Sequence, residues 1–234
     1  MTFDEQYEQL KSTGKIYGAV PKERIRMLTV PRIRKDILEA FRAVEDITCE
    51  LSDAMDNLGY CSSVSAVPST ELAPLDKASR AVGVAVTMRS CPEQVFNIRD
   101  RKERKSQFWV RDVPYLAEPD DIWIVEARGC MCSHFGEIAA KMQHDHGMVG
   151  TIVEGLIRDG ETIRKTGYPF WCRGCTPNTG VKRLEVVEIN GPVTIHNIQV
   201  RPGDLVAADA NGITVVPHGI VEEVFEFMHS KNIC

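Results

Sequence analysis

Three side chains stand out for the chemistry they permit: Glu137, Arg158 and Asp159. The two carboxylates are hard oxygen donors of the kind that hold Mg²⁺ or Mn²⁺. Mg²⁺ keeps several waters, so one direct carboxylate is enough when others act through water. Asp159 is the candidate direct ligand, with Glu137 and Glu161 placed to hold the waters. Arg158 adds a planar fork that matches a carboxylate bidentately. A 2-oxo acid chelated through its keto and carboxylate oxygens would meet both groups. Its ketone would be polarised, its carboxylate held, and charge on an enolate stabilised in place. That is equipment for breaking the C3–C4 bond of a 2-oxo acid. Aldol cleavage and β-decarboxylation share the same pyruvate enolate. A Schiff-base mechanism finds less support. Lys141, Lys165 and Lys182 all stand among polar residues, without an apolar pocket to lower an amine's pKa.

Plainer readings exist for the same residues. Glu137 and Lys141 are spaced i, i+4 and could form only a surface pair. Arg158-Asp159 could be a loop salt bridge or a helix cap. His144-Asp145-His146 resembles a metal pair, yet at a helix end histidine also complements the dipole. Cys172-x-x-Cys175 with Cys130-x-Cys132 is a weak zinc pattern, because a one-residue spacing suits zinc poorly.

The elements around these residues are legible. Ile138, Ala139 and Met142 form one apolar stripe from Gly136 to about His146, so a helix is expected there. Gly147 is a natural stop, since glycine enters the left-handed region cheaply. Met148–Val153 reads as a buried strand that Gly155 breaks, and Arg158-Asp159 follows at its carboxyl end. Ligands of open α/β sheets sit beyond such strand ends.

Elsewhere, residues 3–12 read as a short helix and 14–29 as an arm. Pro31 reads as a first helical residue, before a face of Ile33, Ile37, Phe41 and Val44. Thr48 reads as the N-cap of a second helix that Gly59 ends. Buried strands are expected over 81–88 and 122–127. Residues 90–118 include the mixed-charge run NIRDRKERKSQ, either a solvated segment or a basic surface for an anionic partner. Strands over 183–189 and 192–195 flank Asn190-Gly191, a hairpin signal. Strands over 205–209 and 213–216 and an amphipathic helix over 220–228 complete the chain. The pattern is α/β with a mixed sheet. It divides into an arm (1–30), a helical segment (31–59), an α/β core (60–217) and a C-terminal helix (218–234) of one domain.

The chain has 234 residues, 43% of them hydrophobic, and a formal charge of −5. That charge argues against broad nucleic-acid binding. No run of eighteen apolar residues suggests a membrane span. The polar, acidic start MTFDEQYEQLKSTG has no signal-like apolar region. Eight cysteines in such a chain are expected to be reduced thiols of a cytoplasmic protein.

Several motifs in order carry a family resemblance: LSDAMDNLG (51–59), FGE (135–137), GMVGTIVEGLIRD (147–159), YPFWCRGCTP (168–177) and PGDLVAAD-x-x-GITVVP (202–217). Glu137 is followed by twenty residues and then Arg158-Asp159. The chain thus resembles the family of class II 4-hydroxy-4-methyl-2-oxoglutarate/4-carboxy-4-hydroxy-2-oxoadipate aldolases and RraA proteins, the regulators of ribonuclease E activity. Two departures stand out. Thr162 occupies the position of a further acid, with Glu161 one residue early, and Glu137 stands where the aldolases often have Asp.

The resemblance implies a layered α/β sandwich of the swivelling β/β/α type. It also implies a homotrimer or homohexamer with sites between subunits. The expected activity is a Mg²⁺- or Mn²⁺-dependent carbon–carbon lyase, with Arg158 and Glu137 catalytic and Arg158, Gly136 and Ile138 binding substrate. The alternative is a non-catalytic regulator that binds a ribonuclease or another protein. A methyltransferase is disfavoured, because no Gly-x-Gly loop follows a strand.

Overall fold

The computed structural model describes residues 1–16, 20–61, 65–93, 110, 115–127 and 130–234. Helix α1 (Phe3–Ser12) opens with a capping box between Thr2 and Glu5. Helices α2 (Lys35–Ala43) and α3 (Ile47–Asn57) follow, then short strands β1 (Ala66–Pro68) and β2 (Ala73–Pro74). The long strand β3 (Ala81–Pro92) and β4 (Asp121–Glu126) lead to α4 (Glu137–Asp145). Next come β5 (Gly150–Ile157), α5 (Gly160–Thr166) and β6 (Phe170–Cys175). Strands β7 (Leu184–Ile189), β8 (Val193–Ile195), β9 (Ile198–Val200), β10 (Leu205–Ala208) and β11 (Gly212–Val216) precede α6 (Val221–Ser230).

The main sheet runs β1-β11-β10-β3-β4-β5-β6-β2, and β7 pairs with the far end of β3. Its centre, β3 to β6, is parallel, and its margins are antiparallel. This is the expected α/β architecture with a mixed sheet and a helical N-terminal segment. The strands alternate by face. Val82, Val84, Val86 and Met88 join the core shared with α2, α3 and α6, whereas Ala85, Ile122 and Ile124 pack with the β8–β9 ribbon. No helix of the described residues is long and apolar enough to cross a membrane.

Four local expectations need correction. Helix α2 begins at Lys35, not at Pro31; the residues before it stay extended and carry Arg32 to buried Asp121. Asp46, in the left-handed region, takes the N-cap of α3, while Thr48 lies in its first turn and donates its hydroxyl to Asp209 at 2.8 Å. Strand β5 continues through Gly155 to Ile157, although its pairing with β6 shifts register between Val153 and Leu156. A Cβ at 155 would lie 2.9 Å from the Ala127 Cβ, so this glycine serves close packing within the strand.

The fourth correction concerns Asn190-Gly191, which does not close a hairpin. Strand β7 pairs with β3, and β8 pairs with β9. Asn190 bonds sideways instead. Its amide N–H donates to Thr87 O at 2.8 Å, and its side-chain Nδ2 donates to Met27 O at 3.1 Å. The chain therefore leaves the main sheet at this point. The charged run over 97–107 lies outside the described residues.

Arg32 forks onto both oxygens of Asp121, a carboxylate with 0% exposed side chain that also accepts the Glu118 amide at 2.7 Å. Burial pushes the Asp121 pKa up, and Arg32 opposes that shift. Removing the partner leaves a buried charge uncompensated. Because Arg32 is itself partly exposed, Arg32→Ala should cost about 2–3 kcal/mol in urea unfolding. Adding Asp121→Asn in the same chain should recover part of that loss.

Candidate functional site

The site forms where the end of β5 meets the start of α4. Asp159, two residues past the end of the strand, takes a left-handed conformation (φ 60°), which aspartate tolerates better than most residues. The turn sends the chain into α5, where Asp159 O accepts the Ile163 amide at 3.0 Å. The Arg158 amide donates to Phe135 O at 2.9 Å and ties this loop to the segment before α4.

Helix α4 has no side-chain cap of its own at Gly136. Its first-turn amides lack intrahelical partners by geometry. Asp159 supplies one from across the loop: its Oδ2 accepts the Glu137 amide at 3.3 Å and Arg158 Nε at 3.2 Å. The helix dipole favours a carboxylate there. Gly136 makes this approach possible. A Cβ at 136 would lie 2.9 Å from Asp159 Oδ2 and 3.2 Å from Arg158 Cγ and Nε.

A pocket of about 290 Å³ opens beside these groups, lined by Phe135, Gly136, Glu137, Ile138, Arg158 and Asp159. Thr179, Gly180 and Val181 of the loop before β7 and Val110 also line it. The side chains of Arg158 and Asp159 are 42% and 35% exposed, so both are reachable by a solute. Five expected site residues, Gly136, Glu137, Ile138, Arg158 and Asp159, thus come together around one cavity.

Glu161 does not join them. Its carboxylate turns to Arg164, at 2.8 and 2.9 Å, and that guanidinium holds its pKa below the usual range. The plainer readings divide. Lys141 pairs with Asp145 at 3.1 Å rather than with Glu137. Arg158 and Asp159 do form an ion pair, but it lines the pocket.

His144 packs against Tyr168, and His146 Nδ1 lies 2.7 Å from Met142 O. Among the described residues, no group of three or more His, Cys, Asp or Glu is arranged to hold a metal ion. All eight cysteines are free thiols, with Cys130 and Cys132 sulfurs 2.9 Å apart.

The 179–181 loop is a pocket wall that no pattern of residue types marks. The adjoining YPFWCRGCTP motif was its nearest signal. No pattern marks His134 either, which is fully buried with Nδ1 2.8 Å from Ser90 Oγ. Burial pushes its pKa down to about 4.

With this geometry in hand, the comparisons with known proteins bear on it. The Aldolase/RraA family pattern matches residues 48–215. The chain belongs to the Aldolase/RraA family. A Halalkalibacterium halodurans protein, named provisionally as a 4-hydroxy-4-methyl-2-oxoglutarate aldolase, is 30% identical over 197 residues, covering 84% of this chain and 83% of that one. DlpA of Legionella pneumophila is 26% identical over 215 residues; the match takes in 90% of this chain and 32% of DlpA, so this chain spans about a third of that protein. Among solved structures, Streptomyces coelicolor RraAS2, described as an unusual member of the RNase ES inhibitor RraA family, superposes with a TM-score of 0.69 at 23% identity. That match covers 86% of this chain and 94% of RraAS2, and it carries the fold alone. Glu137, Arg158, Asp159 and the pocket wall at 179–181 all fall within the matched span of this Aldolase/RraA member.

The histidine beneath the site yields a pH prediction. A folded-state pKa near 4 lies below the ordinary 6.5, so the unfolded chain binds more protons between those values. Stability is therefore full above pH 6.5 and falls as pH drops toward 4, by about 3 kcal/mol from this group. His134→Gln should flatten the slope of unfolding free energy against pH in that window. An unchanged slope would show that other groups carry it.

Proposed function

We propose that this chain is a divalent-metal-dependent lyase that cleaves the C3–C4 bond of a 2-oxo acid through a pyruvate enolate. The observation that carries the reading is the joint placement of Asp159, Arg158 and the α4 N-terminus on one exposed pocket. The names given to relatives within the family add support.

The donor set fits a cation that keeps its waters. Asp159 Oδ2 is taken by the Glu137 amide and Arg158, while Oδ1 makes no hydrogen bond among the described residues. Asp159 would hold Mg²⁺ or Mn²⁺ directly, with Glu137 acting through water. When bound, the cation would act as a Lewis acid on the 2-oxo group.

The remaining chemistry belongs to the chain. The guanidinium of Arg158 binds the substrate carboxylate with its fork. The first-turn amides at Ile138 and the positive end of α4 face the same anion, with Gly136 leaving room for its approach. These fixed donors stabilise negative charge as it develops on the C2 oxygen, without reorganising. Glu137 lines the pocket and forms no ion pair among the described residues, so its carboxylate can hold a water or take a proton from the C4 hydroxyl. The alternative, a regulator that binds a ribonuclease, does not require this ion pair to face a pocket. By the family resemblance, the active assembly is a homotrimer or homohexamer.

Two variants test the reading. Asp159→Ala should lose most pyruvate release while costing about 1 kcal/mol of stability as a lost cap. Full turnover in that variant, or in excess EDTA, would refute the metal mechanism. Arg158→Lys keeps the charge but loses the fork. Its kcat/KM should fall on the order of a hundredfold, roughly 2.7 kcal/mol, with kcat affected as well as KM. Wild-type turnover there would remove Arg158 from the carboxylate site.

A further inference from the structure

We infer that Cys130 and Cys132 are a site of reversible oxidation, a dithiol that hydrogen peroxide closes to a disulfide and whose closure loosens one wall of the pocket. The inference stands apart from the lyase reading, because it concerns that wall whatever the pocket binds.

Proximity is the first argument. The two sulfurs lie 2.9 Å apart, closer than the roughly 3.5 Å at which unbonded heavy atoms ordinarily rest. The chain bends at Met131 and Cys132, which brings side chains two residues apart to one point. The more familiar spacing, Cys172-x-x-Cys175, gives no such meeting. On β6 Cys172 is buried and Cys175 exposed, as residues three apart on a strand leave opposite faces.

The second argument is a division of labour between the pair. The thiolate is the reacting form of cysteine, and a sulfenic acid condenses with a neighbouring thiol. Cys130 is half-buried, and peroxide is small enough to reach it. Cys132 is 4% exposed; burial, reinforced by the hydrogen bond with Cys130, pushes its pKa up to about 12. Cys132 therefore stays a thiol, sheltered from the oxidant but in contact with the sulfur that meets it. The Cys130 thiolate attacks one peroxide oxygen and the O–O bond breaks, leaving a sulfenic acid and a hydroxide. The hydroxide takes up the proton that Cys130 gave. The Cys132 sulfur then displaces the sulfenic oxygen, which leaves as water with the Cys132 proton. Two thiols are oxidised to one disulfide, and one peroxide is reduced to two waters.

The third argument is where the pair sits. The Met131 carbonyl, between the cysteines, accepts the Thr176 hydroxyl at 3.3 Å. The Ser133 amide, next to Cys132, donates to Asn178 O at 2.8 Å. Ser133 and Thr179 both line the pocket. A disulfide demands a Cβ–S–S–Cβ angle of roughly 90°. With one residue between the cysteines, the backbone at Met131 and Cys132 must turn to meet it. The carbonyl and amide that hold Thr176 and Asn178 turn with it.

The test uses the full chain. Trypsin releases residues 129–141 as one peptide that holds both cysteines and no other. After exposure to hydrogen peroxide, with remaining thiols then alkylated, mass spectrometry should find that peptide short of two hydrogens. Dithiothreitol should restore them. The change should outpace oxidation of the exposed thiols Cys49, Cys61 and Cys175 by on the order of tenfold. Cys132→Ser should leave a sulfenic acid at Cys130 that dimedone traps, whereas Cys130→Ser should leave Cys132 unoxidised. Hydrogen exchange at the Ser133 amide should quicken in the disulfide form by on the order of tenfold.

A peptide that gains oxygen, at Met131 or as a sulfinic acid, without losing two hydrogens overturns the inference. Earlier oxidation of the exposed single thiols does the same. Both readings are made on the wild-type chain, so they stand even if a serine variant fails to fold. A disulfide that forms while Ser133 exchange stays unchanged keeps the modification site and overturns its hold on the pocket wall.

Discussion

One carboxylate joins the two halves of the site. Asp159 leaves the end of β5 in a left-handed turn and binds both the first amide of α4 and the Arg158 guanidinium. It adds a tie to the one made by the Arg158 amide on Phe135 O. Helix α4 lacks a cap from its own sequence, and Arg158 is a long side chain with several rotamers to lose. The shared acceptor fixes both, and the glycine at 136 is the space that allows it. Strain in the left-handed aspartate is repaid by contacts that only that backbone can make.

Much of this was legible from residue types and spacing. Helix α4 and the strand after it follow from the apolar stripe and the glycine at 147, which adopts φ 79° as a helix stop should. The acid and the Arg-Asp pair, with twenty residues between them, line one pocket, as their positions on consecutive elements suggest. What pattern reading could not supply was partner choice. Glu161 is an acid beside the motif, but two basic residues a turn further along α5 claim it. Asn190-Gly191 has the composition of a hairpin, yet tertiary hydrogen bonds to Thr87 and Met27 decide its role. Local signals state what a segment can do; the neighbours that choose among options lie far along the chain.

The same holds for Pro31 and Gly155. Proline permits a helix start, but Arg32 serves a buried acid better from an extended backbone. Glycine often ends a strand, but here it admits Ala127 and His134 to close range while the strand runs on. In both cases a long-range packing demand outweighs a short-range preference.

Strand β3 carries a consequence for synthesis. One of its edges pairs with β4, but the other needs β10 for its first half and β7 for its second. Strand β3 ends at residue 92, whereas β7 begins at 184 and β10 at 205. A ribosome would therefore present a twelve-residue strand, apolar through most of its length, with one open edge while it makes the next hundred or so residues. Such an edge is a template for pairing with other chains. Growing chains of this protein should depend on holding factors, or on low crowding, more than the finished molecule does.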